Sequence, residues 1–449
     1  MRTIDFTKGK IMKSLILFAG PVLFAMFLQA LYSAADLLIV GKFATKADVS
    51  GVAIGSQLMT TLTNMIVSFA TGATIYLGQK IGEKKAHEGG IIIGNAILFF
   101  GLMGLLMSLS LPLLSGPLAH LLKAPAQSCT QTKHYIMICG GGAIMIVAYN
   151  VLGAIFRGIG DSTTPLITVA IAALINVFGD LLLVDYFHMG AAGAAIATVS
   201  SQTISVIISL VMIKGRTLPF TMSKQDIRFK SNVTKQIIIF GLPIALQDFL
   251  VSLSFLVLLA IVNTLGVTAS AGVGVAEKVC AFLMLVPSAF MQSMSSFVAQ
   301  NKGAGKVDRA IKGVKIAIGF SSLIGLVMFV FAFFHGDMLG SIFSSDQSVI
   351  AACAQYLKAY GIDCLLTCFL FCLVGFFNGM GHTTFVMIQG LMSAFLIRIP
   401  VAYIMSMMTG KLFFIGLAIP ASPASTIVQI IICLLYLRKR KFTASAVNL

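Results

Sequence analysis

Long apolar stretches, separated by short polar segments, run through the whole chain. Each stretch is long enough to cross about 30 Å of hydrocarbon as an α-helix, which rises about 1.5 Å per residue. The stretches are continuously apolar and do not alternate at every second residue, so the strands of a membrane β-barrel are excluded. The predicted transmembrane helices cover twelve segments: residues 15–40, 49–76, 91–115, 134–157, 163–185, 190–213, 236–262, 271–298, 314–335, 353–377, 384–409 and 412–437.

This pattern repeats itself 221 residues further along the chain. Residues 157–163 read Arg-Gly-Ile-Gly-Asp-Ser-Thr, and residues 378–384 read Asn-Gly-Met-Gly-His-Thr-Thr. The same offset joins four further identical pairs: Gly51 and Gly272, Gln79 and Gln300, Gly82 and Gly303, Lys85 and Lys306. Duplicated membrane domains are the usual build of secondary transporters.

Each copy contains six spans and therefore ends on the side where it began. The two copies have the same orientation, as in parallel repeats. The predicted fold is an all-α integral membrane protein whose twelve transmembrane helices form two six-helix lobes. Residues 1–213 form the N-terminal lobe, 214–235 a basic cytoplasmic linker, and 236–449 the C-terminal lobe.

Composition and charge agree with a membrane location. Hydrophobic residues make up 58% of the chain and charged residues only 10%, against about 25% charged in soluble proteins. The net charge of +16 does not indicate a nucleic-acid partner, since 23 of the 31 Lys and Arg fall in segments on one side of the predicted membrane. That asymmetry predicts a multi-pass protein of the plasma (inner) membrane with both termini in the cytoplasm and lipid around its spans.

Acidic residues inside the first-half spans are candidates for coupling chemistry. Asp36 lies near the end of the first span, where it could also be a residue at the level of the lipid headgroups. Asp180 follows Asn176 by one helical turn in the fifth span. A charge at mid-bilayer costs about 2.5–3.5 kcal/mol on insertion scales, so such a residue normally serves a function. Because burial and a neighbouring carboxylate both favour the protonated form of an acid, Asp36 and Asp180 are predicted to bind a proton. Gln29, Asn150 and Thr198 would complete a hydrogen-bonded network around them.

The second half carries its own intramembrane charges. Asp248, Glu277 and Asp363 lie in spans seven, eight and ten. Glu277 could be neutralised by its neighbour Lys278, and Asp363 could lie close enough to the outer surface to be solvated. Arg398 in span eleven is expected to pair with one of the three acids. Three methionines of span eight could line a cavity that accepts varied apolar groups, or could equally pack in the core or face lipid: Met284, Met291 and Met294.

Cysteine and histidine positions predict neither a metal site nor an enzyme. Cys364, Cys368 and Cys372 share one helix face without histidine or carboxylate partners at ligand spacing, which favours packing. A disulfide between Cys129 and Cys353 stays open. The six histidines are scattered through loops and span ends and make no catalytic constellation. No cofactor is expected.

The chain resembles the multidrug and toxic compound extrusion (MATE) transporters, and within them the DinF-like branch. The resemblance covers nearly the whole chain, in the order of its pieces, which are Gly20-Pro21, residues 36–41, residues 157–162, Asn176 with Asp180, and residues 190–195. It implies export of amphipathic, often cationic organic compounds in exchange for protons or sodium ions. On this likeness Asp36, Asn176 and Asp180 would hold the coupling ion, and Pro21 would be the point where span one bends.

The resemblance also leaves alternatives. The family's sodium-coupled pattern uses acids in spans seven and ten, from which Asp248 and Asp363 depart in register, so protons are favoured over sodium. A flippase of the same superfamily, acting on lipid-linked sugars, would need a more cationic cavity than these acids provide. A passive channel would not need paired acids. Two lobes in one chain make a monomer sufficient for transport.

Overall fold

The computed structural model describes residues 3–214, 220 and 223–446, and its elements are helices throughout those ranges. The predicted linker lies partly outside the described residues, at 215–219 and 221–222. The α-helices are, in chain order, α1 Ile11–Phe43, α2 Lys46–Gly82, α3 Ala86–Leu121, α4 Cys129–Gly141, α5 Ala143–Gly158, α6 Thr163–Asp180, α7 Gly190–Lys214, α8 Ser231–Asn263, α9 Val267–Leu283, α10 Leu285–Gly303, α11 Val307–Phe334, α12 Gly336–Ser341, α13 Gln347–Gly379, α14 Thr383–Met392, α15 Ile399–Thr409, α16 Leu412–Gly416 and α17 Ala418–Ala446.

The prediction of twelve membrane spans is confirmed. Eleven helical segments of the described chain are long and apolar enough to cross a membrane, and α4 with α5 forms a twelfth span that bends by 57°. The bend falls at Gly142, and a side chain there would collide with Val199. Most helices extend beyond the predicted bounds, as α2 does over 37 residues, because polar helix ends continue past the apolar stretch that the sequence pattern detects.

Two π-helical turns interrupt the spans. The first, Leu181–Tyr186, follows α6 directly, and the second, Ser393–Arg398, joins α14 to α15. A π-helical turn changes the direction of the side chains that follow it and is found frequently at functional sites. One turn begins after Asp180 and the other ends with Arg398, so both adjoin intramembrane charges that the sequence singled out.

The chain forms two compact units. The first contains the residues up to Leu246 together with Gln292–Gly313 and Asn378–Thr383, and the second contains Gln247–Met291, Val314–Phe377 and the residues from Thr384 onward. The first unit therefore includes helix ends and a turn that belong to the second sequence repeat. Division of the chain into lobes at residues 213 and 236 stays a prediction.

Within the first unit, the two repeats meet through a reciprocal pair of hydrogen bonds. The Gln79 side chain donates to the Gly379 carbonyl at 3.0 Å, and the Gln300 side chain donates to the Gly158 carbonyl at 3.2 Å. Both the donors and the acceptors are related by the 221-residue offset. Gly82 lies against the Gln300 carbonyl, and Gly303 lies against the Gln79 carbonyl, so neither position leaves room for a side chain. We call this contact between the ends of α2 and α10 the glutamine crossing.

The segments that lead into each repeat also pack onto helices of the other repeat. Asn301 and Arg309 both donate to the Phe6 carbonyl, at 3.1 and 2.9 Å, and the Phe6 ring is fully buried. In the same manner Asn95 of α3 donates to the Arg228 carbonyl at 2.7 Å. Part of the predicted linker is thus an ordered packing element and not only a connection.

Candidate functional site

Asp36 and Asp180 meet where α1 packs against α6. Asp36 is 7% exposed and Asp180 is fully buried, and their carboxyl groups lie within hydrogen-bonding distance of each other. A carboxylate only accepts hydrogen bonds, so two carboxyl groups can bond to each other only when one carries a proton. The geometry therefore suits a pair of acids that holds one proton between them, and we call Asp36 and Asp180 the acid pair.

Few other polar groups satisfy the acid pair. Within the part of the chain that the structure describes, apart from the contact between the two acids, both buried oxygens of Asp180 and one of Asp36 have no hydrogen-bond partner. A fully ionised carboxylate without donors is costly to bury. The surroundings thus accommodate a protonated pair more easily than two negative charges.

Amide and hydroxyl groups border the acid pair on the next turn and the next helix. Asn176 lies one turn before Asp180 on α6 and donates to the Thr198 hydroxyl of α7 at 3.4 Å. The Asn176 amide oxygen is buried and makes no hydrogen bond among the described residues. Both residues were predicted from the sequence, and α6 and α7 bring them together.

Four residues near the acid pair were missed by the sequence analysis. Tyr32, one turn before Asp36, lies beside Gln202, and Tyr135 lies beside Thr198. The Cys139 thiol contacts the Ala195 carbonyl at 3.9 Å. Tyr32 could have been found from its spacing to Asp36. Contacts between helices place Tyr135, Cys139 and Gln202 near the acid pair, and such contacts cannot be predicted from a single sequence.

Two predicted members of the network point elsewhere. The Asn150 amide donates to the Ile146 carbonyl of its own helix at 2.8 Å, and Gln29 lies beside the Tyr149 side chain.

Pro21 lies inside α1, which continues through it. Because proline has no N–H, the carbonyl one turn earlier loses its helical partner there, which leaves α1 a point of weaker bonding.

The second unit holds a buried arginine near a buried acid. Asp363 is 5% exposed and accepts a hydrogen bond from Thr367 at 3.0 Å, so its interpretation as a solvated surface residue is wrong. The Arg398 guanidinium donates to the hydroxyls of Ser254 at 2.8 Å and Ser422 at 3.1 Å. It also stacks over the Phe255 ring at 4.2 Å.

The expected ion pair of Arg398 with an acid is not formed among the described residues. Asp363 is the acid whose charge acts on Arg398, but serine hydroxyls, not the carboxylate, receive its hydrogen bonds. Glu277 is half-buried, and Asp248 is exposed. Lys278 is exposed too. Glu277 and Lys278 are neighbours in sequence, so their side chains point in different directions on the helix and do not face each other.

The remaining sulfur-containing candidates divide between packing and a cavity. Cys364, Cys368 and Cys372 are fully buried, and both Cys129 and Cys353 are free thiols. Met284 lines a cavity of the second unit, Met291 packs partly buried against neighbouring apolar residues, and Met294 is fully buried. Only the first of these three methionines is available to a ligand at that cavity.

Comparison with known proteins adds an independent line of evidence. The chain is 27% identical over 418 residues to the probable multidrug resistance protein YpnP of Bacillus subtilis, covering 92% of each chain. It is 24% identical to the probable multidrug resistance protein NorM of Thermotoga maritima, covering 91% of this chain and 88% of the relative. A protein of Shewanella oneidensis named FAD transporter is 26% identical over 340 residues, 74% of this chain and 75% of that one.

Solved structures share the fold. An outward-facing multidrug resistance MATE family transporter of the MOP superfamily superposes with a TM-score of 0.90 at 18% identity, covering 98% of this chain and 99% of the other. A MOP superfamily transporter from Pyrococcus furiosus gives the same TM-score at 18% identity and 98% coverage of both chains. The MatE family model matches twice, over residues 21–182 and 243–404. The two matches are the two sequence repeats, and the chain belongs to the MATE family of membrane transporters.

Proposed function

We propose that this transporter exports amphipathic, often cationic organic compounds in exchange for protons. The acid pair of Asp36 and Asp180 carries the proposal, because two buried acids in hydrogen-bonding contact form a group that binds and releases a proton. The names of the multidrug resistance relatives support the substrate class. Both termini would lie in the cytoplasm at the plasma (inner) membrane, and one chain would suffice.

The acid pair offers a physical route from proton to movement. With one shared proton the carboxyl groups attract each other and hold α1 against α6. Loss of that proton leaves two negative charges at close range in a medium of low polarity, where their repulsion is strong. Asn176 and Thr198 lie beside the pair and could change hydrogen bonds as the proton leaves. One charge moved through about 100 mV is worth roughly 2.3 kcal/mol, which is enough to bias a two-state helix packing.

Sodium coupling through the second unit is the alternative that the proposal must exclude. A sodium ion at Asp363 would have to compete with the positive charge of Arg398, which already acts on that carboxylate. The sodium ion would find few other oxygen ligands there, since the side-chain hydrogen bond of Asp363 comes from Thr367. These contacts favour the acid pair as the coupling site.

An anionic substrate is the second candidate. One relative is named FAD transporter, and flippases of the same superfamily act on lipid-linked sugars. Such a substrate would need cationic side chains facing its phosphates. Of the intramembrane charges that the sequence analysis singled out, five are acids, namely Asp36, Asp180, Asp248, Glu277 and Asp363, and two are cations, Lys278 and Arg398. The balance of charge supports a cation, and FAD belongs in the assay as a competing substrate.

The test is transport by purified protein in proteoliposomes, with ethidium as substrate and with proton and sodium gradients imposed separately. We expect proton-driven movement, abolished in Asp36→Asn and Asp180→Asn, while Asp185→Asn on the adjoining π-helical turn keeps wild-type rates. Sodium-driven movement that survives both variants would overturn coupling at the acid pair. FAD movement without ethidium movement would overturn the substrate class.

A further inference from the structure

The residues that lead into α8 lie along α3 and are held there through their backbone. The Asn95 amide donates to the Arg228 carbonyl at 2.7 Å, and a side chain at Gly94 would collide with the Asp226 carbonyl. Two carbonyls of this stretch thus lie against α3, which fixes the backbone without using the side chains. We call residues 226–230 the pre-α8 segment.

The pre-α8 segment exposes a mixture of apolar and basic side chains. Ile227 is 42% exposed and Phe229 is 56% exposed. Arg228 lies exposed between them, and the half-buried Lys230 follows. Apolar side chains beside basic ones are typical of protein surfaces at the boundary between lipid headgroups and hydrocarbon. There the apolar groups enter the hydrocarbon and the cations reach the phosphates.

The contact with α3 places these side chains at such a boundary. Gly94 and Asn95 lie about one helical turn inside the apolar stretch 91–115, and one turn advances about 5 Å along the helix. The charged Glu88 precedes that stretch in the first turn of α3. The exposed side chains of the pre-α8 segment are therefore held at the depth where the hydrocarbon begins.

The charge of this region favours an anionic partner. Residues 223–235 contain four basic residues and one acid, Asp226. The Asp226 carboxylate accepts hydrogen bonds from the backbone N–H and the hydroxyl of Ser223, at 2.7 and 3.1 Å. On α3, Glu88 is already paired with Lys80 at 3.1 Å. The region therefore carries a net positive charge, and basic clusters beside transmembrane helices attract anionic phospholipids.

We propose that the pre-α8 segment is a docking site for an anionic phospholipid. The Arg228 and Lys230 side chains bind the lipid phosphate, and the Ile227 and Phe229 side chains enter the upper part of the acyl chains. The site does not depend on which substrate or which coupling ion the transporter uses.

Docking would fix the depth of two transmembrane helices in the bilayer. The Asn95 side chain joins the pre-α8 segment to α3 and also accepts a hydrogen bond from the Thr234 hydroxyl of α8. A lipid bound to the segment therefore acts on the beginnings of both α3 and α8. Such a lipid should stabilise the protein as well as bind to it.

The chain contains no tryptophan, so Phe229→Trp introduces a single fluorophore into the full-length protein. In proteoliposomes its fluorescence is quenched by lipids that carry bromine on their acyl chains. Brominated phosphatidylglycerol is compared with brominated phosphatidylcholine at equal fractions. We expect phosphatidylglycerol to bind at least about fivefold more tightly beside the fluorophore, which is the effect of one basic side chain near an anionic surface. Bromine near the headgroup should quench more strongly than bromine near the chain end.

The preference should depend on the two cations of the segment. Arg228→Gln together with Lys230→Gln, added to Phe229→Trp, should abolish the preference for phosphatidylglycerol. Lys123→Gln together with Lys133→Gln is the matched control, because it removes two exposed lysines from the turn after α3 and from α4. This control should leave the preference unchanged.

A fluorophore at a lipid-facing position without basic neighbours gives the reference for quenching. Leu106→Trp lies exposed in the middle of α3 and should be quenched equally by both lipids. Quenching of Phe229→Trp by neither lipid, or equal quenching by both, would overturn the proposal. A preference that survives the loss of Arg228 and Lys230 would overturn it too.

A second measurement needs no fluorophore in the segment. Phosphatidylglycerol added to the unsubstituted protein in detergent should raise its unfolding temperature more than phosphatidylcholine does. Arg228→Gln together with Lys230→Gln should remove that difference. Equal unfolding temperatures with the two lipids, or a difference that the double variant retains, would contradict docking at the pre-α8 segment.

Discussion

At the scale of single residues, this protein separates its intramembrane charges into different environments. Asp36 and Asp180 lie in contact with each other, Glu277 borders a cavity, and Arg398 is fixed by two serine hydroxyls and one aromatic ring. The same cost of burying charge applies to each of them. What differs is the environment: a second acid in contact, the wall of a cavity, and a fixed set of protein groups.

The fixed environment of Arg398 leads to a prediction about stability. Arg398→Met should lower the free energy of unfolding by about 3 kcal/mol, because it removes two hydrogen bonds from a charged donor to Ser254 and Ser422 and the positive charge that acts on the buried Asp363. Arg398→Lys should recover only part of that loss, since lysine lacks the planar fork that reaches both serines. Thermal unfolding in detergent, followed by intrinsic tyrosine fluorescence, measures the change.

The double variant Arg398→Met with Asp363→Asn distinguishes charge from packing. If the charge of Asp363 is the reason for the loss, the double variant is more stable than Arg398→Met alone. Equal stability of the single and double variants would mean that Arg398 acts through the serines and Phe255 only.

At the scale of helices, close approach is achieved through glycines that are paired by the sequence repeat. Gly51 lies against Gln131 within the first unit, and Gly272 lies against Ala352 within the second; both members of these contacts are related by the same 221-residue offset. Gly82 and Gly303 serve the glutamine crossing in the same manner. Small residues at helix contacts are the ordinary means of association in a membrane, where lipid is as apolar as the helices.

The close contact of backbones at the glutamine crossing predicts that one added methyl group destabilises the protein. Gly303→Ala would place a side chain against the Gln79 carbonyl and should destabilise the protein by about 2 kcal/mol, within the usual range for overpacking. Gly319→Ala is the control, since no atom lies within 4 Å of the added group on α11 and alanine favours a helix. Thermal unfolding of the two variants in the same detergent tests the difference, and equal midpoints would contradict it.

The elements themselves could be predicted from the sequence, because each transmembrane helix needs a continuous apolar stretch of known length. The bend at Gly142 and the π-helical turn after Asp180 could not, because they depend on the helices that pack there. For the site, Asp36, Asn176 and Asp180 stood out as polar residues in apolar stretches. Asn150 stood out by the same criterion, yet its amide bonds to its own helix. Polarity alone identifies candidates, and only packing decides which of them meet.

At the scale of the whole molecule, the boundary of the sequence repeat and the boundary of the compact units differ. The first unit takes in Gln292–Gly313 and Asn378–Thr383 from the second repeat. These pieces supply Gln300 and the Gly379 carbonyl, both partners in the glutamine crossing. The first repeat therefore lacks part of its own packing until the second is present.

This dependence can be tested by dividing the chain in the basic segment after residue 220. Residues 1–220 expressed alone should aggregate or unfold at lower temperature than the intact protein. Coexpression with residues 221–449 should restore a single peak in fluorescence-detected size-exclusion chromatography. A first half that remains monodisperse alone, with the unfolding temperature of the intact protein, would contradict the prediction.

The two leading segments have a consequence for the ancestry of the chain. Phe6 is held by Asn301 and Arg309 of the second repeat, and the segment ending in Arg228 is held by Asn95 of the first. The first residues of each repeat thus pack against helices of the other repeat. Before duplication, a half-length ancestor with these contacts would have exchanged its amino-terminal arm with a second identical subunit, side by side and in the same orientation. Gene fusion would then have made an obligatory partner permanent, and afterwards left each half free to acquire charges that the other never had.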